Sequence, residues 1–308
     1  MTAGETSNQS KLGASEPEPE TTDERENLGP ALRHIAIGGV SFVGSTVLGV
    51  LLGSLDGFAN IGESHWLTER QHPRSGQIIA TDFAAAVPDY QYYCRVCKAA
   101  CPVLTREFRA GLAADPAGWY NRIANHLETK VLVSSDKSLN QYRRLAPASN
   151  FDLIVLYRPP TSFIRSNKKA MVYRASQGFA LPAGWLEIGP VLRHWVNNYN
   201  RLREMQPSGS RIVMNWENFV AKPNEYFDRL LALLNLPGSS DVFEHIRPGH
   251  FIGGNNVGGL LTSKRFRARP SVNPPLSDEE AEAILRDEPS QTVFQRLEAE
   301  HREYFNGL

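Results

Sequence analysis

Between His34 and Leu52 the chain carries a local pattern that limits its possible folds more than any other feature. His34-Ile35-Ala36-Ile37 is a short apolar run that breaks at Gly38-Gly39, and Thr46 to Leu52 is apolar again over helical length. The pattern predicts a buried strand, a glycine turn and a buried helix. The turn, Gly39-Val40-Ser41-Phe42-Val43-Gly44-Ser45-Thr46, has the G-x-x-x-x-G frame of an anion-binding loop. In such loops several backbone N–H groups and the positive end of the following helix converge on one oxyanion. A nucleoside triphosphatase needs lysine directly after the second glycine; Ser45 stands there, which argues against ATP or GTP hydrolysis. Two other readings of these residues stay open. One is a plain glycine turn before a packed helix. The other is a membrane span, because residues 35–55 are 21 positions without a charge and Gly49 and Gly53 form a small-xxx-small pair.

Further strands are predicted at 130–134, 151–157 and 211–215. Phe151-Asp152-Leu153-Ile154-Val155-Leu156-Tyr157 is almost wholly apolar, as an interior parallel strand covered on both faces should be. Helical spacing links Trp185, Ile188, Leu192, Trp195, Tyr199 and Leu202. It also links Phe227, Leu230, Leu231 and Leu234, with Pro223 suited to a first turn. Two more helices are expected at about 277–286 and 290–305. Strands alternating with helices predict an α/β protein, a three-layer P-loop-like fold with a mostly parallel central sheet. Residues 62–129, irregular and rich in Tyr, Pro and Cys, are expected to form a lid or acceptor insertion within a single domain, 31–308. Their aromatic residues (Trp66, Tyr90, Tyr92, Tyr93, Trp119, Tyr120) suit stacking on a sugar, a lipid or a phenol, and equally a plain core.

Charge separates the N-terminus from the rest. Residues 1–30 hold seven acidic and two basic residues, too little apolar content to order, and read as a disordered acidic tail. The remaining 31 basic and 26 acidic residues leave a surplus of five. That suits a small anionic ligand and falls short of a nucleic-acid footprint. Cys94, Cys97 and Cys101 are too few and too crowded for a disulfide framework, and no apolar leader precedes the domain, so a cytoplasmic location is expected. Their C-x-x-C-x-x-x-C spacing admits zinc if His65, His72 or His126 supplies a fourth ligand. Buried free thiols and a regulatory disulfide are the other readings.

At the end of the third strand stands Arg158-Pro159-Pro160, with Ser166 about two turns into the following helix. An arginine fork and a hydroxyl at the C-terminal edge of a sheet make a phosphate clamp.

Here the chain resembles a known family. Gly39–Thr46 resembles the loop that grips the 5′-phosphosulfate in sulfotransferases using 3′-phosphoadenosine-5′-phosphosulfate (PAPS). Phe151–Ser166 resembles that family's 3′-phosphate site, an Arg and a Ser eight residues apart. Val213–Pro223 is similar to the family's strand ending in an aromatic-acidic pair, and His250–Asn255 to a late glycine-asparagine loop that closes over the nucleotide in bacterial members. The match runs from about 34 to 265. It implies a bacterial, carbohydrate-sulfotransferase-like enzyme with PAPS as donor, no required metal, and a carbohydrate or small hydroxylated metabolite as acceptor. Neither nucleic acid nor membrane is an expected partner.

The resemblance also implies roles. Gly39, Ser41, Phe42, Val43, Gly44, Ser45 and Thr46 would hold the 5′ end of the donor, Arg158 and Ser166 the 3′-phosphate, and Gly254 and Asn255 the closing loop. Glu63, in Gly62-Glu63-Ser64, takes the place of the family's glutamate base, with His65 as competing base. Lys137, in Asp136-Lys137-Ser138, would neutralise donor charge or help to position Glu63. The family usually carries Arg or Lys where Phe42 stands, to support the leaving oxygen, and a serine where Val43 stands. Either Lys137, Lys264, Arg265 or Arg267 replaces that cation, or the chain binds PAPS without efficient transfer.

Overall fold

The computed structural model describes residues 32–64, 69–71, 78–80, 94–97, 101–105, 107–108, 119–136, 151–176, 178, 181, 183–253, 258–268 and 273–308. The expected acidic tail lies outside these residues, as do Trp66 and Tyr90, Tyr92 and Tyr93. The strands are β1 (Arg33–Gly38), β2 (Phe58–Gly62), β3 (Glu69–Gln71), β4 (Ile78–Ala80), β5 (Val131–Ser134), β6 (Phe151–Tyr157) and β7 (Arg211–Asn215). β3 and β4 pair antiparallel on their own. The other five form one parallel sheet in the order β2-β5-β1-β6-β7, with helices on both sides.

The chief helices are α1 (Ser45–Leu52), α2 (Trp119–His126), α3 (Pro160–Ser176), α4 (Ile188–Glu204), α5 (Trp216–Ala221), α6 (Pro223–Leu233), α7 (Gly258–Ser263), α8 (Asp278–Arg286) and α9 (Glu288–Phe305). All seven residues of β6 are buried, matching its unbroken apolar sequence at the middle of the sheet. Val191, Trp195, Tyr199 and Leu202 line the buried stripe of α4, and Leu202 lies against Gly38 of β1.

Residues 35–55 are not a membrane helix. They are most of β1, a loop, and α1, whose eight residues rise about 12 Å, well short of a bilayer's apolar thickness. No helix among the described residues is long and apolar enough to cross a membrane. The Gly49/Gly53 pair serves a different contact. A Cβ at Gly49 would lie 3.0 Å from Asn60 Oδ1, and one at Gly53 would lie 2.4 Å from Asn60 Cβ, so the two glycines let α1 close onto β2. This strand falls partly in a stretch expected to be irregular.

His34 sits inside the sheet, its Nε2 2.9 Å from Ser134 Oγ and its ring 4.1 Å from that of Tyr120. Burial lowers its pKa from 6.5 to about 4 against the opposing pull of Asp136 and Asp152. Above pH 6.5 both folded and unfolded chains hold the ring neutral. Between there and pH 4 only the unfolded chain takes the proton, so stability falls as pH falls, by about 2–3 kcal/mol at pH 4.5. Urea unfolding of His34→Gln should lose about that much less stability than wild type between pH 7 and 4.5. An equal acid loss in both proteins would assign the slope to another group.

Candidate active site

The loop after β1 is held tightly against its neighbours. A Cβ on Gly39 would lie 2.5 Å from the Leu156 carbonyl of β6. Gly44 has φ +105°, and a Cβ there would press to 2.4 Å into the Trp216 ring, so neither its conformation nor its contact admits a side chain. α1 begins directly afterwards with no side-chain cap and no acidic residue in its first turn. The positive end of the α1 dipole therefore meets the loop with no acidic side chain to offset it. Ser45 Oγ is buried with no hydrogen-bond partner. Thr46 and Val43 are buried beside it, while Ser41 and Phe42 are partly exposed. Phe42 occupies left-handed backbone space at φ 64°.

One strand away, Gly38 pairs with Val155, so the chain leaves β6 beside this loop and delivers Arg158. Arg158 is 7% exposed, and its guanidinium lies 6.0 Å from the centre of the Trp216 ring. Its Nε has no hydrogen-bond partner. Burial pulls its pKa below the ordinary arginine value, opposed mainly by the charge of Glu217. Trp216 thus touches both Gly44 and Arg158. It is fixed at the head of α5, where Asn215 Oδ1 accepts the N–H of Glu217 at 2.9 Å. Glu298 of α9 braces the same rim by accepting from Tyr157 OH at 2.6 Å and Asn215 Nδ2 at 2.9 Å. Pro160 opens α3, as expected, and Ser166 lies partly exposed within that helix.

At the other edge, the β2–β5 register shifts between Asn60 and Gly62. Gly62 has φ +71°, and a Cβ there would lie 2.2 Å from Ile252 O. Such a bulge re-aims the residue that follows. Glu63 follows, 6% exposed, its N–H donating to Ile252 O at 2.8 Å. Ser64 donates its hydroxyl to Asp136 Oδ2 at the end of β5, and Tyr120 OH donates to the same oxygen at 3.3 Å. Asp136 is therefore the anchor beside Glu63, a role the sequence did not single out. His65, Lys137, Gly254 and Asn255 lie outside the described residues.

The remaining candidates are placed as follows. Lys264 is exposed in left-handed backbone space, φ 52°. Arg265 and Arg267 are paired with Glu244, Arg267 through both terminal nitrogens. A cation that sequence reasoning missed, Arg174 in the last turn of α3, brings its guanidinium 5.9 Å from the centre of the Phe42 ring. Cys94, Cys97 and Cys101 converge on His250. None of the three expected histidines joins them from the described residues: His126 lies at 2.6 Å from Val103 O and stacks on Phe108, and His65 and His72 lie outside.

The rim of the sheet therefore presents, in spatial order, Glu63 after β2, Asp136 after β5, the glycine loop after β1, Arg158 after β6 and Trp216 after β7. At about 4.8 Å between strands, Arg158 leaves the sheet about 5 Å from the loop on one side, and Glu63 about 10 Å from it on the other.

No protein-family model and no curated protein matches the sequence. Among solved structures, the chain is similar to the sulfotransferase domain from the Synechococcus PCC 7002 olefin synthase, at 15% identity and a TM-score of 0.54, covering 86% of this chain and 95% of that one. It is also similar to the sulfotransferase domain from the curacin biosynthetic pathway, at 15% identity and a TM-score of 0.52, covering 87% and 98%. The α/β architecture is a sulfotransferase fold.

Proposed function

We propose that the chain is a sulfotransferase that lays PAPS along this rim and transfers its sulfuryl group to a hydroxyl of a carbohydrate or small metabolite. The observation that carries this reading is a pair of buried, unpartnered polar groups, Ser45 Oγ at the start of α1 and Arg158 Nε just after β6, with the Trp216 ring against Gly44 and 6.0 Å from the Arg158 guanidinium. Buried groups of this kind are costly unless something pairs with them. A ligand with an anionic group at each end satisfies both, and the positive end of the α1 dipole favours one of those groups. The residues present therefore fit PAPS.

In this reading the loop and Ser45 hold the 5′-phosphosulfate, and Arg158 with Ser166 holds the 3′-phosphate. Gly254 and Asn255 close over the nucleotide, and Lys137, Lys264 and Arg265 add positive charge around it. Glu63 accepts the hydroxyl proton as the acceptor oxygen bonds to sulfur. The bond from sulfur to the bridging oxygen breaks, and its electron pair leaves with the 5′-phosphate of the desulfated product, PAP. His65 is the alternative proton acceptor. A second reading, a PAP-binding relative without transfer, draws on Phe42 at the loop position where the family carries its own cation.

Calorimetric titration with PAP, followed by incubation with sulfur-labelled PAPS and a panel of hydroxylated acceptors, tests both readings. Saturable PAP binding that excess ATP does not displace, with label appearing on an acceptor, is expected. Absence of PAP binding at high micromolar concentration overturns both, and binding without transfer across the panel selects the second.

A further inference from the structure

Three sulfurs and one imidazole nitrogen meet beside β2. His250 Nδ1 lies 3.3 Å from Cys101 Sγ, 3.4 Å from Cys97 Sγ and 3.8 Å from Cys94 Sγ, and all four donor atoms fall within 4.8 Å of one another. Hydrogen bonding does not account for this convergence, because one ring nitrogen accepts a single hydrogen bond and cannot take three thiols at once. A cation at the centre does. With Zn–S about 2.3 Å and Zn–N about 2.0–2.1 Å, a tetrahedral ion sets its S···N edges at about 3.5 Å, and the three separations bracket that value.

Backbone donors also orient the sulfurs. The backbone N–H of Cys97 points at Cys94 Sγ at 3.4 Å, and that of Leu104 at Cys101 Sγ at 3.2 Å. Donors of this kind fix the orientation of a ligating sulfur. Cys94 and Cys101 are buried, and all three cysteines are free.

We propose that Cys94, Cys97, Cys101 and His250 bind one zinc ion as a closed structural site. Three soft thiolates and an imidazole in a tetrahedral arrangement select zinc among the common divalent ions, and four protein ligands leave no position for water or substrate. The site is therefore a clasp and takes no part in chemistry at the rim. What it clasps is visible in the backbone. Arg95 N–H donates to Phe251 O at 2.8 Å, and Ile252 bridges to Cys94 on one side and Gly62 on the other. Ile252 O in turn accepts the N–H of Glu63. The ion ties the cysteine segment to residues 250–252, and those residues carry the backbone that holds Glu63. This inference does not depend on the identity of the donor nucleotide.

The test is the metal content of the full chain, purified under reducing conditions without chelator, together with the spectrum of its cobalt-exchanged form. About one zinc per chain, thiolate-to-cobalt charge-transfer absorption and the d–d bands of a tetrahedral site are expected. His250→Ala should lose the metal, His250→Cys should retain it with an altered cobalt spectrum, and His126→Ala should leave both readouts unchanged. Reduced wild-type protein that takes up neither zinc nor cobalt overturns the proposal. So does His250→Ala with full zinc and an unaltered cobalt spectrum, or a disulfide among the three cysteines in freshly isolated protein.

Discussion

Arg158→Met should weaken PAP binding by about two to four orders of magnitude and leave the ligand-free protein as stable as wild type or more so. The two effects have one cause. Arg158 is a buried cation with an unpartnered Nε, 6.0 Å from the centre of the Trp216 ring, favoured mainly by the charge of Glu217. In the free protein it is an incompletely compensated buried charge, and exchange for an apolar side chain of similar length is neutral or stabilising by about 1–4 kcal/mol. In the complex, two charge-assisted hydrogen bonds to a phosphate, each contributing about 1.5–3 kcal/mol, disappear. Thermal unfolding without ligand and calorimetric titration with PAP read the two quantities separately. A variant that melts well below wild type yet binds PAP normally would make Arg158 a packing residue, and the rim would lose its 3′-phosphate clamp.

Elements whose burial follows from their own residues were legible from the sequence. β6 and β7 occupy the positions their apolar runs predict, and α6 starts at Pro223. α8 starts where Ser277 and Glu280 form a capping box. β2 was not legible, because its five residues include the polar Asn60 and the glycine of a bulge. Asn60 is buried against Gly49 and Gly53, and its Oδ1 accepts the Gly62 N–H at 3.0 Å. The glycine pair itself was ambiguous in sequence, since close approach of a helix to lipid-embedded neighbours and to a strand calls for the same small residues. In the candidate site, the loop and Arg158 were picked out by their place after predicted strands, and Glu63 by resemblance alone; the structure puts all three on one rim of the sheet. Arg174 and His250 could not be assigned their places. Arg174 reaches Phe42 only because α3 runs on to Ser176, and His250 reaches the cysteines only because Ile252 pairs between Cys94 and Gly62, contacts separated by more than a hundred residues.

Glu63→Gln should lower kcat for sulfuryl transfer by about 10²–10⁴-fold, the usual contribution of a positioned general base. Its PAP affinity should change less than about threefold, because the affected side chain stands two strand spacings from the loop and three from Arg158. Glutamine keeps the length and planarity of the side chain, so the bulge at Gly62 and the bond from Glu63 N–H to Ile252 O persist. What disappears is the capacity to hold the acceptor proton. Asp136→Asn supplies the contrast. Asp136 is buried and accepts from Ser64 and Tyr120, so its amide leaves hydrogen bonds mismatched next to Glu63 and should lower both thermal stability and kcat. A selective kcat loss in one variant and a combined loss in the other separates a residue that touches the reacting hydroxyl from one that positions it. If Glu63→Gln keeps more than about a tenth of wild-type turnover, the proton goes elsewhere, with His65 the first alternative.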